Sequence, residues 1–577
     1  MRKISPLPSA LCSGLLAAAV ALAGTLPARA QPAANPADTP ADTVYLNGNI
    51  HTVDPDNPRA EALAVRGERL AAVGSRAEAG ALIGPTTEVI DLRGMTVLPG
   101  LIDAHAHLTG LGAIELGVID LADTTTYDEV IELIEARAAQ TPEGEWILGR
   151  GWDHESWPEQ RLPHHRRLSE AVPNHPVLLG RVDGHADLAN AKAMDLAGVD
   201  RGTESPPGGE MLRDEEGEPT GVFVDNASGL VARAVPPGAR GRTEDLILAG
   251  QRAVLAAGLV NVHDMGMQPS GVDVYRRLEA EGLLKLRMDL AISAPFAVRY
   301  FEENEPYLGD RVTVRSAKLY MDGAMGSRGA WLLEPYSDRP RDDRGRPYTG
   351  LSVMEPERVE FISRHGLENG YQIRVHAIGD RANREVLDAF ERAAASAGAD
   401  LRAARFRIEH AQLVSPEDIP RFAELGVIAS MQQTHASSDM RWMGDRVGPD
   451  RLEGAYAWGS LARSGAVIAG GSDFPVEKYS PFRGMYAAIT RQNERGNPPG
   501  GWLPHERMTR AQMLRSFTID AAFAAFAENE RGSLEPGKLA DFIVIDRDPM
   551  TIEPRRVLDT EVLRTVIAGE TVYERGG

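Results

Sequence analysis

Apolar and polar positions alternate with a period of two over Val44-Tyr-Leu-Asn-Gly-Asn-Ile-His-Thr-Val, Ala62-Leu-Ala-Val-Arg-Gly-Glu-Arg-Leu-Ala-Ala-Val-Gly and Glu88-Val-Ile-Asp-Leu. Turn signals at Asn47-Gly48, Asp54-Pro55 and Arg66-Gly67 separate these runs, as expected of short strands in a small β-sandwich. The far end repeats the pattern in Ala540-Asp-Phe-Ile-Val-Ile-Asp and Thr565-Val-Ile-Ala-Gly-Glu-Thr-Val-Tyr. Neither piece has enough strands to bury a core alone, so the two are expected to pair into one domain.

Between them the pattern changes. Thr96-Val-Leu-Pro-Gly-Leu-Ile-Asp reads as a buried strand, followed by apolar runs at Leu259–Val262, Leu286–Ser293, Val312–Tyr320, Gln372–Val375, Phe406–Ile408, Val427–Met431 and Ala466–Ile468. Helical patterns intervene, including Glu357–Glu368, Arg384–Ala397 and Pro416–Leu425. Eight strand–helix units predict an α/β chain built on a (β/α)8 barrel of the TIM type, whose chemistry gathers at the C-terminal strand ends. Such a barrel needs ~250 residues. The surplus lies between the first two strands, at about residues 141–242, a stretch rich in Pro, Gly and charge that reads as a subdomain over the barrel mouth. The predicted organisation is a sandwich from 43–96 and 527–577, and a barrel over 97–526 carrying that insertion.

Composition narrows the class. Arg2 and Lys3, the apolar Ala10–Ala23 and the small-residue site Ala28-Arg-Ala30 make residues 1–30 a secretory signal peptide, with a Pro/Ala-rich linker over 31–42. The expected location is periplasmic or secreted, with no membrane association beyond export. The one cysteine, Cys12, lies in the leader, so the mature chain has no thiolate nucleophile and no Cys-type zinc site. A net charge of −21 argues against a nucleic-acid partner, which would need a cationic face. A homodimer stays open.

Chemistry enters at the strand ends. His105 and His107 stand two residues apart on one strand, so their imidazoles leave on the same face and can grip one metal ion; Asp103 shares that parity. The fourth strand carries a lone lysine, Lys318; the fifth and sixth end in His376 and His410; the eighth ends in Asp473. Together they place four histidines, a lysine and an aspartate around one rim. His263 and Asp264, ending the second strand, are expected to hydrogen-bond behind the ligands. His185 in the insertion is a candidate for the substrate carbonyl, Gln432 and His435 for the pocket wall, and Asp322 and Arg328 in a Gly-rich loop for further substrate contacts.

The motifs Gly100-Leu-Ile-Asp-Ala-His-Ala-His, Gly151-Trp-Asp-His, Asp183-Gly-His185, Val262-His-Asp264, Lys318 with Asp322-Gly, His376-Ala-Ile-Gly-Asp-Arg, Ile408-Glu-His410-Ala, Gly471-Ser-Asp473 and Gly532-Ser-Leu-Glu-Pro-Gly-Lys-Leu-Ala-Asp541 run the length of the chain. In these the sequence resembles the amidohydrolase superfamily, and more narrowly the subgroup of N-substituted formamide deformylases and exoenzyme-regulatory-protein-like amidohydrolases. The resemblance implies that His105 and His107 bind one metal ion with Asp473 near it, and that His376 and His410 bind a second. Lys318 would bridge them as a carbamate formed with CO2. One or two divalent ions, zinc the expected metal, would supply hydroxide near neutral pH, with Asp473 as general base and then general acid. The implied reaction is hydrolysis of a C–N bond in a small N-substituted amide or formamide. Lactones, cyclic imides, ureas or dipeptides are the alternative substrates for the same site, and a non-catalytic regulatory barrel is the alternative of another class.

Overall fold

The computed structural model describes residues 39–342 and 344–576. The expected signal peptide and most of the expected linker lie outside the described residues. Eight parallel strands form the barrel: β1 (Leu101–Ala106), β2 (Leu259–Met267), β3 (Arg287–Ser293), β4 (Val312–Tyr320), β5 (Gln372–Ala377), β6 (Arg407–His410), β7 (Ile428–Gln432) and β8 (Ile468–Gly471), hydrogen-bonded in that order. The α/β barrel expected from the apolar runs is therefore present.

Between β8 and β1 the barrel is closed by loop and side-chain bonds rather than by a ladder. The Asp473 N–H donates to His105 O at 2.8 Å, and Asp103 accepts from Ser472 N–H (3.1 Å) and Ser472 Oγ (2.6 Å). Gly471 permits this approach, because a Cβ there would lie 2.8 Å from Asp103 Oδ1. Asp103, fully buried, has its carboxyl pushed up to about 7 by that burial.

The first predicted strand divides at Gly100. Thr96–Pro99 leaves the barrel and runs antiparallel to Phe542–Ile545 in a six-stranded sheet. A second, four-stranded sheet, with strands at Thr43–Leu46, Ala62–Arg66, Arg69–Gly74 and Glu88–Asp91, packs against it through Tyr45, Leu63, Val65, Val97, Phe542 and Val566. The two chain ends thus share one core. Arg287 at the foot of β3 donates to Asp541 at 2.7 Å, a buried ion pair that ties this layer to the barrel.

The insertion builds its own six-stranded mixed sheet and core. It starts well before residue 141. Ile119–Asp120 is the edge strand beside Ile147–Trp152, and the helix Tyr127–Ala138 buries Val130, Ile131 and Ile134 in the same core. Ion pairs bind the insertion to the barrel loops. Asp153, held at 2.8 Å by Arg181 within the insertion, pairs across with Arg441, and Arg446 joins Glu155 to Asp338. Among the described residues no helix is long and apolar enough to cross a membrane.

Candidate active site

Period-two alternation brings Asp103, His105, Ser316, Lys318, Arg374 and His376 to the barrel interior. Two residues join them by leaving regular strand geometry. His410 has φ 75° and Asp473 φ 62°, a region that residues other than glycine seldom occupy. The turn at His410 lets both Glu409 and His410 stay buried at the rim, where strict alternation would send one of them outward.

His105, His410 and Asp473 each offer a ligand atom within 4.8 Å of the others. Glu409 Oε2 accepts from His105 Nδ1 at 2.7 Å, leaving His105 Nε2 facing Asp473 Oδ1 at 3.6 Å. His107 Nε2 lies 3.3 Å from the same oxygen. Gln432 Oε1 accepts from His410 Nδ1 at 2.8 Å, and Gln412 Nε2 donates to His435 Nδ1 at 3.0 Å. The latter bond puts the remaining His435 proton on Nε2, which is buried, has no hydrogen-bond partner and lies 3.7 Å from Asp473 Oδ2. Asp473 Oδ1 is likewise buried without a hydrogen bond. Imidazole nitrogens and a carboxylate converging with unused lone pairs fit a divalent cation.

The electrostatics agree with that fit. Burial and the neighbouring Lys318 lower His105 to about 4, so its ring is neutral. Burial pushes Asp473 up, but His105, His107 and His435 outweigh it and hold the carboxyl well below its usual range. Lys318 is buried beside these groups and lowered to about 8 by desolvation. Its ammonium makes no hydrogen bond or ion pair among the described residues and sits 4.7 Å from the Tyr320 ring centre. His376 completes the ring, its centroid 4.6 Å from that of His410.

Several expected substrate contacts are engaged by other groups of the chain. Asp322 accepts three backbone N–H groups, from Trp331, Ile378 and Gly379, and stands 3.5 Å behind His376 Nε2. Burial raises its carboxyl to about 7. Arg328 pairs with Asp338 at 2.8 Å, and Gln432 is spent on His410. His185 and His435 do line the cavity, a volume of about 750 Å³ bounded by the insertion and the barrel loops. His263 packs behind the site with Nδ1 3.0 Å from Arg407, and Asp264 accepts the Leu108 N–H at 3.0 Å.

Glu409 went unnoticed in the sequence although it sits beside a ligand. Its carboxylate accepts from both His105 and Arg407, the latter at 3.0 Å. Glu409→Gln removes the charge that orients the His105 ring and leaves Arg407 buried without its carboxylate. Metal affinity is expected to fall about 10–100-fold, read by chelator competition, with a lower Tm.

A parallel barrel whose C-terminal rim gathers neutral imidazoles, an ionised carboxylate and a buried amine defines a metal-dependent hydrolase. The chain belongs to the Amidohydrolase family, whose sequence profile matches residues 88–573. It is 33% identical over 541 residues to the protein LONG AFTER FAR-RED 3 of Arabidopsis thaliana, spanning 91% of each chain. It is 30% identical over 545 residues to the N-substituted formamide deformylase of Arthrobacter pascens, covering 92% of this chain and 98% of that one. An uncharacterized metal-dependent hydrolase from Pyrococcus horikoshii superposes with a TM-score of 0.71 at 26% identity, over 89% of this chain and 99% of the other.

Proposed function

We propose that this protein hydrolyses the C–N bond of a small N-substituted amide or formamide. The observation that carries the reading is Asp473, an ionised carboxylate with an unused buried oxygen, set among His105, His107, His410 and His435 at the base of the cavity. Likeness to the formamide deformylase supports the choice of bond.

His105, His107 and Asp473 would hold one divalent ion, zinc in the first instance, and His376 and His410 a second, with Lys318 between them as a carbamate. When bound, the metal supplies Lewis-acid polarisation of the carbonyl and lowers the pKa of water toward ~7. The chain's own groups do the rest. Asp473 accepts the proton of the attacking water and returns it to the departing nitrogen. His435 Nε2–H and His185, both on the cavity wall, meet the acyl group and fix its orientation. Asp103 holds Asp473 in place through Ser472. The proposal also includes export through the leader at 1–30, checked by cell fractionation.

The deciding experiment is a screen of the zinc-loaded enzyme against formamides, longer N-substituted amides, lactones, cyclic imides and dipeptides. Turnover is expected on formamides or amides. Turnover confined to lactones would move the assignment to C–O bonds, and none on any class would overturn the catalytic reading.

A further inference from the structure

His185 reaches the cavity from the insertion, at the turn between Val177–Arg181 and Ala186–Ala189. Asp225 ends the strand Pro219–Asp225 beside it. The Asp225 N–H donates to His185 O at 2.9 Å, and Asp225 Oδ1 accepts from His185 Nδ1 at 2.6 Å. With Nδ1 engaged, Nε2 is the nitrogen left for a ligand, on a ring 4.8 Å from that of His376.

Three features show that Asp225 is held here against local preference. Its backbone lies at φ 49°, ψ −124°, a conformation suited to glycine. Its carboxylate fills a cradle made by the barrel loop after β4. A Cβ at Gly323 would come within 2.2 Å of Asp225 Oδ2, and one at Gly329 within 2.5 Å. Neither glycine has a positive φ, so their own backbones do not require glycine. Finally, Asp225 Oδ2 is buried with no hydrogen bond, a desolvation cost that packing alone would not favour.

We propose that Asp225 is a positioning residue for the reaction: seated in the Gly323/Gly329 cradle, it fixes the His185 imidazole so that Nε2 meets the substrate carbonyl as the bond is cleaved. The insertion thereby contributes to the active site itself. This rests on the proposed role of His185 as a substrate contact.

Asp225→Gly is the informative variant, because glycine suits the backbone while removing the carboxylate. Expected are a Tm at or above that of the unmodified enzyme, unchanged metal content, KM within about threefold and kcat at least about 30-fold lower. Asp225→Asn, which keeps an oxygen for the Nδ1 proton, should recover part of that loss. A kcat within threefold in Asp225→Gly, or a lower Tm with metal loss, overturns the proposal. A melting experiment tests the cradle without activity. Gly323→Ala should lower Tm in the otherwise native chain and leave it unchanged in the Asp225→Gly background; equal losses in both overturn the cradle. If the enzyme cleaves no C–N substrate, the proposed function fails by itself, and the kinetic comparison is made on the ester or lactone that is cleaved. Should no substrate class turn over, the melting pair alone decides.

Discussion

Asp473→Asn is expected to lower kcat by roughly 10³–10⁴-fold, the upper part of the range for loss of a positioned general base, while the protein keeps its fold and metal. The amide fills the same space and keeps the Asp473 N–H bond to His105 O, since that bond is made by the backbone. What is lost is the basic oxygen. Three histidines hold the carboxyl ionised against the effect of burial, so in the native chain it can take a proton throughout the neutral range. Asparagine cannot. His105, His107, His376 and His410 remain, so metal content should stay near that of the unmodified enzyme. Elemental analysis beside single-turnover kinetics separates the outcomes: residual activity within tenfold removes Asp473 from proton transfer, and metal loss would show that its carboxylate is a ligand the imidazoles cannot replace, so that the kinetic loss no longer reports on proton transfer alone.

The same residue illustrates what the sequence could and could not disclose. Apolar runs ending in polar residues mark barrel strands, because a buried parallel strand can admit chemistry only where it emerges. That logic reached His105, Lys318, His376, His410 and Asp473. It failed where the backbone leaves the strand. At His410 a positive φ breaks the alternation: Glu409 keeps the inward parity of Arg407 and of its register partner His376, and the turn brings to the rim His410, which parity would have sent outward; reading His410 as the inward residue therefore concealed Glu409. Asp322 and Arg328 looked available because loop residues carry no period; the structure turns them to backbone donors and to Asp338. Asp225 lies 40 residues from His185 and meets it only through the register Ala186↔Val224 of the insertion sheet, a pairing that no local pattern encodes. The two-residue strand Ile119–Asp120 is too short to show any period, which is why the insertion starts earlier than its composition indicates.

The second large effect belongs to Lys318. An ammonium cannot ligate a cation, whereas a carbamate offers two oxygens, and forming one requires a neutral amine: its nitrogen bonds the carbon of CO2 and a proton leaves. Burial supplies that condition by lowering the amine to about 8, and no carboxylate pairs with it among the described residues. The neutral fraction is therefore about half at pH 8, and it falls to about a tenth at pH 7 and a hundredth at pH 6. Reactivation of metal-free enzyme with zinc and bicarbonate should accordingly slow about tenfold per unit as the pH falls below 8. Lys318→Ala should drop metal content from two equivalents per chain toward one and lower kcat/KM at least about 10³-fold, losing the bridging charge at a site of metal catalysis. Lys318→Arg keeps a cation but cannot form the carbamate, and should fail in the same way. A single equivalent of metal in the unmodified protein, or reactivation indifferent to bicarbonate, would sink the bridge and leave Lys318 as a buried amine packed on Tyr320.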